Sequence, residues 1–212
     1  MDSTYTSGER LVDGVIHGLS ILASLIALPI LIVMAIPHLS AASVSSLAIY
    51  AAASLAMFIF SAAYNLIPVV SWKDRLRRFD QAAIFMKIAG TYTPFTLLKI
   101  GGAWGIGLLT AVWAVALSAA AAKLFLPGAL DRISIGLYLV LGWAVLLVIR
   151  PLAAALPLDA LILLAAGGGL YTVGVVFHLW KGLAYQNAIW HGFVLAAASC
   201  HYAAVVRTVT FV

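Results

Sequence analysis

Apolar runs of about 20 residues, the length that crosses a bilayer as a helix, recur along almost the whole of this 212-residue chain. Few folds are open to a chain built that way. In hydrocarbon every backbone N–H and C=O must find its partner inside the structure, so runs of this length become transmembrane helices. The pattern predicts spans at 15–36, 44–68, 80–100, 103–122, 133–149, 158–179 and 187–206. The expected fold is all-α, a seven-transmembrane helix bundle forming a single integral membrane domain over 1–212. Charge supports this, because 9% of the residues are charged against about 25% in soluble domains, and mean hydropathy is +1.12.

The punctuation between runs is of the expected kind. Gly101-Gly102 and Pro127-Gly128 mark turns, and Arg150-Pro151 is expected to stop the fifth span. The first run exceeds the about 7–15 residues of a signal-peptide core, and Asp2 and Glu9 offset Arg10 before it. It is therefore read as a retained span, despite the small residues at 40–43. Cys200 is a lone cysteine in an apolar run and cannot form an internal disulfide.

The net charge of +5 does not indicate a nucleic-acid partner, since the basic residues are scattered among short loops. Their distribution instead orients the bundle. With the N-terminus inside, the inner loops carry Arg10, Lys73, Arg75, Arg77, Arg78, Lys123, Arg132 and Lys181, and the outer ones only Lys99, Arg150 and Arg207. The positive-inside rule then makes the N-terminus cytosolic.

One stretch, 76–94 (LRRFDQAAIFMKIAGTYTP), takes a charged segment straight into apolar sequence and carries Asp80 across the boundary. Lys87 lies seven residues on, two turns deeper on the same helix face. Ionisable residues inside spans mark functional sites by default, although a long lysine stem can also snorkel to the interface. The predicted topology also collects residues distant in sequence. His17 opens the first span, Ser61 and Asn65 close the second, Asp80 opens the third, and Asn187 and His191 open the seventh. All six fall toward the cytosolic face, where they can share one pocket. Simpler roles are a helix cap for Asp80 and an interfacial anchor for His191 beside Trp190. His17 and His201 read as packing histidines, and His38 and His178 as interfacial ones. The spans show no continuous polar stripe, which argues against a wide aqueous channel.

The blocks SAAYN (61–65), LRRFDQAAIFMKIAGTYTPF (76–95) and NAIWHGFVLAAASCH (187–201) resemble the bacterial hemolysin III proteins, which group with the progestin and adipoQ receptors and are related to alkaline ceramidases. The resemblance covers nearly the whole chain, including Glu9 and His17. It implies seven helices in a membrane, here the bacterial inner membrane, and a zinc ion near the cytosolic side. Three histidines hold that ion in the family, one in a Ser-x3-His block and two in a His-x3-His block on the last helix. An aspartate of the third helix acts on the zinc-bound water.

Carried over by residue, Ser61 matches the serine, Asp80 the aspartate and His191 the second histidine of the last block. Asn65 and Asn187 stand where the other two ligands are expected. An amide oxygen is a weak zinc donor, and catalytic zinc normally takes three protein ligands plus water. His201, ten residues past His191, lies about 15 Å farther along the helix and cannot substitute. On this reckoning the chain does not hold zinc tightly, and Lys87, leaning back toward Asp80, partly fills the missing positive charge.

Two functions remain open. If zinc is bound, Asp80 as general base suits ceramidase-like hydrolysis of a lipid amide, as the resemblance implies. Otherwise the chain is a non-catalytic membrane protein, either lipid-binding and signalling or membrane-perturbing. Membrane lipids are the expected partners in both.

Overall fold

The computed structural model describes residues 6–210; Met1–Tyr5 of the polar opening segment and the last two residues lie outside it. The described chain is helical throughout, in eight segments. These are α1 (Ser7–Ala35), α2 (Ala41–Leu66), α3 (Lys73–Phe95), α4 (Gly102–Phe125), α5 (Ser134–Trp143), α6 (Ile149–Ala155), α7 (Leu158–Leu179) and α8 (Gln186–Thr210). Counting α5 and α6 as one continuous passage over Ser134–Ala155, six helices are long and apolar enough to cross a membrane. Leu11, Leu19, Leu22, Ile26 and Val33 of α1 and Trp104 and Ile106 of α4 point outward. Such an apolar exterior is what a lipid-facing surface requires.

α3 falls outside those six, because Lys73, Asp74, Arg75, Arg77, Arg78 and Asp80 crowd its first two turns. It needs less apolarity than its neighbours, since it packs against α2, α4, α5 and α8. From Ala89 to Thr96 every residue is buried. Close approach is set by small residues: a Cβ on Gly90 would lie 2.7 Å from Cβ of Ala53 in α2. α3 ends in a wider turn over Thr96–Ile100, and Gly101 and Gly102, both at positive φ, reverse the chain into α4 as their sequence suggests.

Two boundaries differ from the expectation. The first helix starts at Ser7 rather than near residue 15, because Thr6 and Glu9 form a reciprocal capping box that satisfies the free N–H groups of the first turn. Arg150-Pro151 does not end the fifth passage. A tight 3₁₀ segment, Ala144–Val148, separates α5 from α6, and Pro151 is the third residue of α6, where an N–H has no helical partner to lose. The break is held by Tyr92 of α3, whose hydroxyl accepts from Val145 N at 2.7 Å and lies 3.0 and 2.9 Å from the carbonyls of Leu141 and Gly142. Irregular backbone at membrane depth survives only when satisfied in this way.

Candidate functional site

The inward face of α1 is polar. Glu9, Asp13, His17, Ser20 and Ser24 are all buried, at intervals of three and four residues that place them on one side of the helix. The polar face stops at Ser24, where Leu28, Leu31 and Ala35 take it over, so the stripe does not run the length of the span. Its two serines are spent locally, Ser20 Oγ donating to Ile16 O at 2.8 Å and Ser24 Oγ to Ser20 O at 2.7 Å. Glu9 is spent at the helix end, where Oε2 accepts from Thr6 and Oε1 from the Tyr185 amide at 2.8 Å, tying α1 to the loop before α8.

Asp13 and His17 have no such local outlet, and they meet His191 of α8. Asp13 Oδ1 lies 2.6 Å from His191 Nδ1 and Oδ2 lies 3.7 Å from His17 Nε2. The two imidazole centroids are 4.3 Å apart. Asp13 and His17 are each 2% exposed and His191 is 9% exposed. One ligand atom from each of the three falls within 4.8 Å of the others, so the group can hold a metal ion. Among the described residues His17 Nε2 has no hydrogen-bond partner. An orphaned imidazole nitrogen beside a buried carboxylate is what a metal ligand looks like without its ion, since burying it unpaired is otherwise costly. One carboxylate and two imidazoles also form a donor set suited to zinc with a fourth position open.

The cluster opens on a cavity of about 440 Å³. His17, Ser61, Asp80, Lys87 and His191 all line it, so five of the residues singled out from the sequence share one chamber. Ser61 is within hydrogen-bonding reach of Asp80, and His191 is within electrostatic range of it. Arg77 and Asp131 also line the chamber. Asp131 accepts from Lys123 Nζ at 2.6 Å and lies 3.7 Å from Arg77. That hydrogen bond, with the two positive charges, holds the Asp131 carboxyl below its ordinary range.

Three expectations are corrected here. Asn65 and Asn187 are not among the residues lining the chamber, and Asn65 Nδ2 instead donates to Ser61 O of its own helix at 2.9 Å. Lys87 does not turn back to Asp80: its ammonium donates to Ser54 Oγ at 2.9 Å and sits 4.3 Å from the Tyr50 ring centroid. Both contacts point across to α2, which is the nearer neighbour at that depth. His17 is not a satisfied packing histidine but a member of the cluster. Asp13 was missed because it falls in a segment that reads as a solvated head, although its i, i+4 spacing to His17 was a usable signal.

Most of the chain, residues 6–202, matches the family model described as Haemolysin-III related. The chain is 36% identical over 198 residues to the Hemolysin-3 homolog of Bacillus subtilis (strain 168), covering 93% of each chain. It is 34% identical over 191 residues to Hemolysin-3 of Bacillus cereus, covering 90% of this chain and 87% of that one. A more distant relative, the monocyte to macrophage differentiation factor of Homo sapiens, is 30% identical over 166 residues, covering 74% and 67%. No solved structure matches. An all-helical bundle with a lipid-facing apolar exterior and a buried Asp/His/His group defines a multi-pass integral membrane protein with a potential metal centre. Within that class, the chain belongs to the haemolysin-III related family.

Proposed function

We propose that this protein is a zinc-dependent hydrolase of lipid amides, with Asp13, His17 and His191 as the metal ligands. The observation that carries this reading is the buried cluster with its orphaned His17 Nε2. It supplies two donors on α1 in place of the two that Asn65 and Asn187 lack. Zinc held there would contribute a Lewis acid that polarises a carbonyl and acidifies water. The chain's own residues do the rest. Asp80, facing the same chamber, takes a proton from water through its carboxylate and returns it to the departing nitrogen as the C–N bond gives way to C–O. Ser61, which lines the chamber beside it, is placed to orient that carboxylate. The chamber falls in the about 300–1,000 Å³ range of small-molecule sites, and most of its wall is apolar.

In the same reading the bundle has seven spans, α3 being the enclosed one, with the N-terminus in the cytosol of a bacterial cell and the protein in its inner membrane. A reporter in the 67–72 connection between α2 and α3 should then report the cytosol and one after Val212 the outside; both on one side would refute the seven-span topology.

Metal analysis of purified protein tests the centre. About one zinc per chain is expected, with loss of at least about tenfold in affinity in Asp13→Asn and in His17→Ala. The wild type should release fatty acid from a lipid amide, and Asp80→Asn should abolish release while keeping the metal. Protein that is metal-free when isolated with zinc present would remove the hydrolase reading in favour of a non-catalytic lipid-binding role.

A further inference from the structure

Beyond the metal centre, the same chamber contains a cation without a counterion. Lys87 is 3% exposed in the middle of α3. Ser54 Oγ gives its own proton to Tyr50 O at 2.7 Å, so it meets Lys87 Nζ as an acceptor and takes one N–H. The Tyr50 ring face takes a share of the charge. Among the described residues no carboxylate forms an ion pair with Lys87, and Asp13, Asp131 and Asp159 are paired elsewhere. A buried charge left so is expensive unless something negative joins it.

A second anomaly lines the same chamber. The Tyr171 hydroxyl, on α7, is buried with no hydrogen-bond partner among the described residues. Its ring lies 5.6 Å from that of His201, which is itself within electrostatic range of Lys87. The ammonium N–H groups that Ser54 does not take and the Tyr171 O–H thus line one chamber as unspent donors.

We propose that Lys87 and Tyr171 form an anion-binding subsite inside the bundle that takes a monoanionic group, either a halide-sized ion or the carboxylate end of a membrane amphiphile. Arg77, 3.7 Å from Asp131, adds a second positive group to the chamber wall and offsets the carboxylates of Asp80 and Asp131 there. A mainly apolar cavity of about 330 Å³, lined by Phe95, Leu108 and Leu152, adjoins the chamber and shares Thr91, Tyr92, Trp143 and His201 with it. There the tail of an amphiphile has room. This subsite is independent of the metal reading, because neither Lys87 nor Tyr171 belongs to the Asp/His/His group.

The test uses full-length protein in uncharged detergent and chloride-free buffer, with thermal unfolding followed by tryptophan fluorescence. One arm titrates sodium bromide against a bulky sulfonate at constant ionic strength; the other titrates sodium octanoate below its micellar concentration. A ligand that binds only the folded state raises the midpoint saturably. Saturable stabilisation by bromide assigns the free ion and by octanoate the amphiphile carboxylate, and either supports the subsite. The apparent Kd should weaken about tenfold or more in Tyr171→Phe, which keeps the ring, and the response should vanish in Lys87→Met. Prior chelation of metal should leave the anion response intact. No saturable response in either arm, or an unchanged Kd in Tyr171→Phe, overturns the proposal even if Lys87→Met fails to fold.

Discussion

Alanine at Gly167 measures how closely α7 and α8 approach. A Cβ there would lie 2.3 Å from His201 Cδ2, 2.5 Å from His201 Nε2 and 3.1 Å from the Ala197 carbonyl oxygen. Carbon atoms pack best at about 3.5–4.0 Å, so the imidazole would have to retreat by more than about 1 Å. It has little freedom to do so, being seated against the Tyr171 ring with the two ring centroids 5.6 Å apart. The Ala197 oxygen belongs to the main chain of α8 and yields only if the helices part. Overpacking of this kind costs about 1–3 kcal/mol. Alanine in a helix interior returns up to about 1 kcal/mol relative to glycine. Gly167→Ala should therefore lower stability by about 0–3 kcal/mol. Gly169→Ala, two residues on, meets nothing within 4 Å and should gain up to about 1 kcal/mol. The gap between the two variants, about 1–3 kcal/mol, is the quantity to read, by denaturant or thermal unfolding in one detergent. Equal stability of the two would refute the close approach at Gly167.

Tyr92→Phe should destabilise by about 1–3 kcal/mol, because it leaves the Val145 amide unpaired in irregular backbone; unchanged unfolding would show that the α5–α6 break has another support. Glu9→Ala should speed hydrogen exchange at the Tyr185 amide while leaving the middle of α1 protected, read by exchange mass spectrometry. Asp131→Asn should cost about 1–3 kcal/mol at neutral pH, since Lys123, 2% exposed, loses its charged partner. The pH dependence follows from the lowered Asp131 carboxyl: its stabilisation is present above the unfolded value of about 3.9 and fades as pH falls through the lower folded value. Wild type and Asp131→Asn should therefore converge in unfolding midpoint on acidification; a gap that persists at low pH would contradict the assignment.

The sequence alone determined the class, most helix positions and the family, because the bilayer leaves helices as the natural outcome for long apolar runs and because the blocks at 61–65, 76–95 and 187–201 are read without coordinates. It also brought Ser61, Asp80 and His191 toward one membrane face, by topology. Tertiary structure decided which polar groups meet. Asp13 lies 178 positions before His191, and only the packing of α1 against α8 turns a segment that looks like a solvated head into a buried carboxylate between two imidazoles. Lys87 went to Ser54 and Tyr50 rather than Asp80 because helix spacing fixes a residue's face but not the neighbour waiting there. Asn65 spends its amide on Ser61 O of its own helix, and neither it nor Asn187 lines the chamber. In a membrane the chain's own hydropathy writes the helices, while the identity of a site depends on side-chain directions that only the assembled bundle sets.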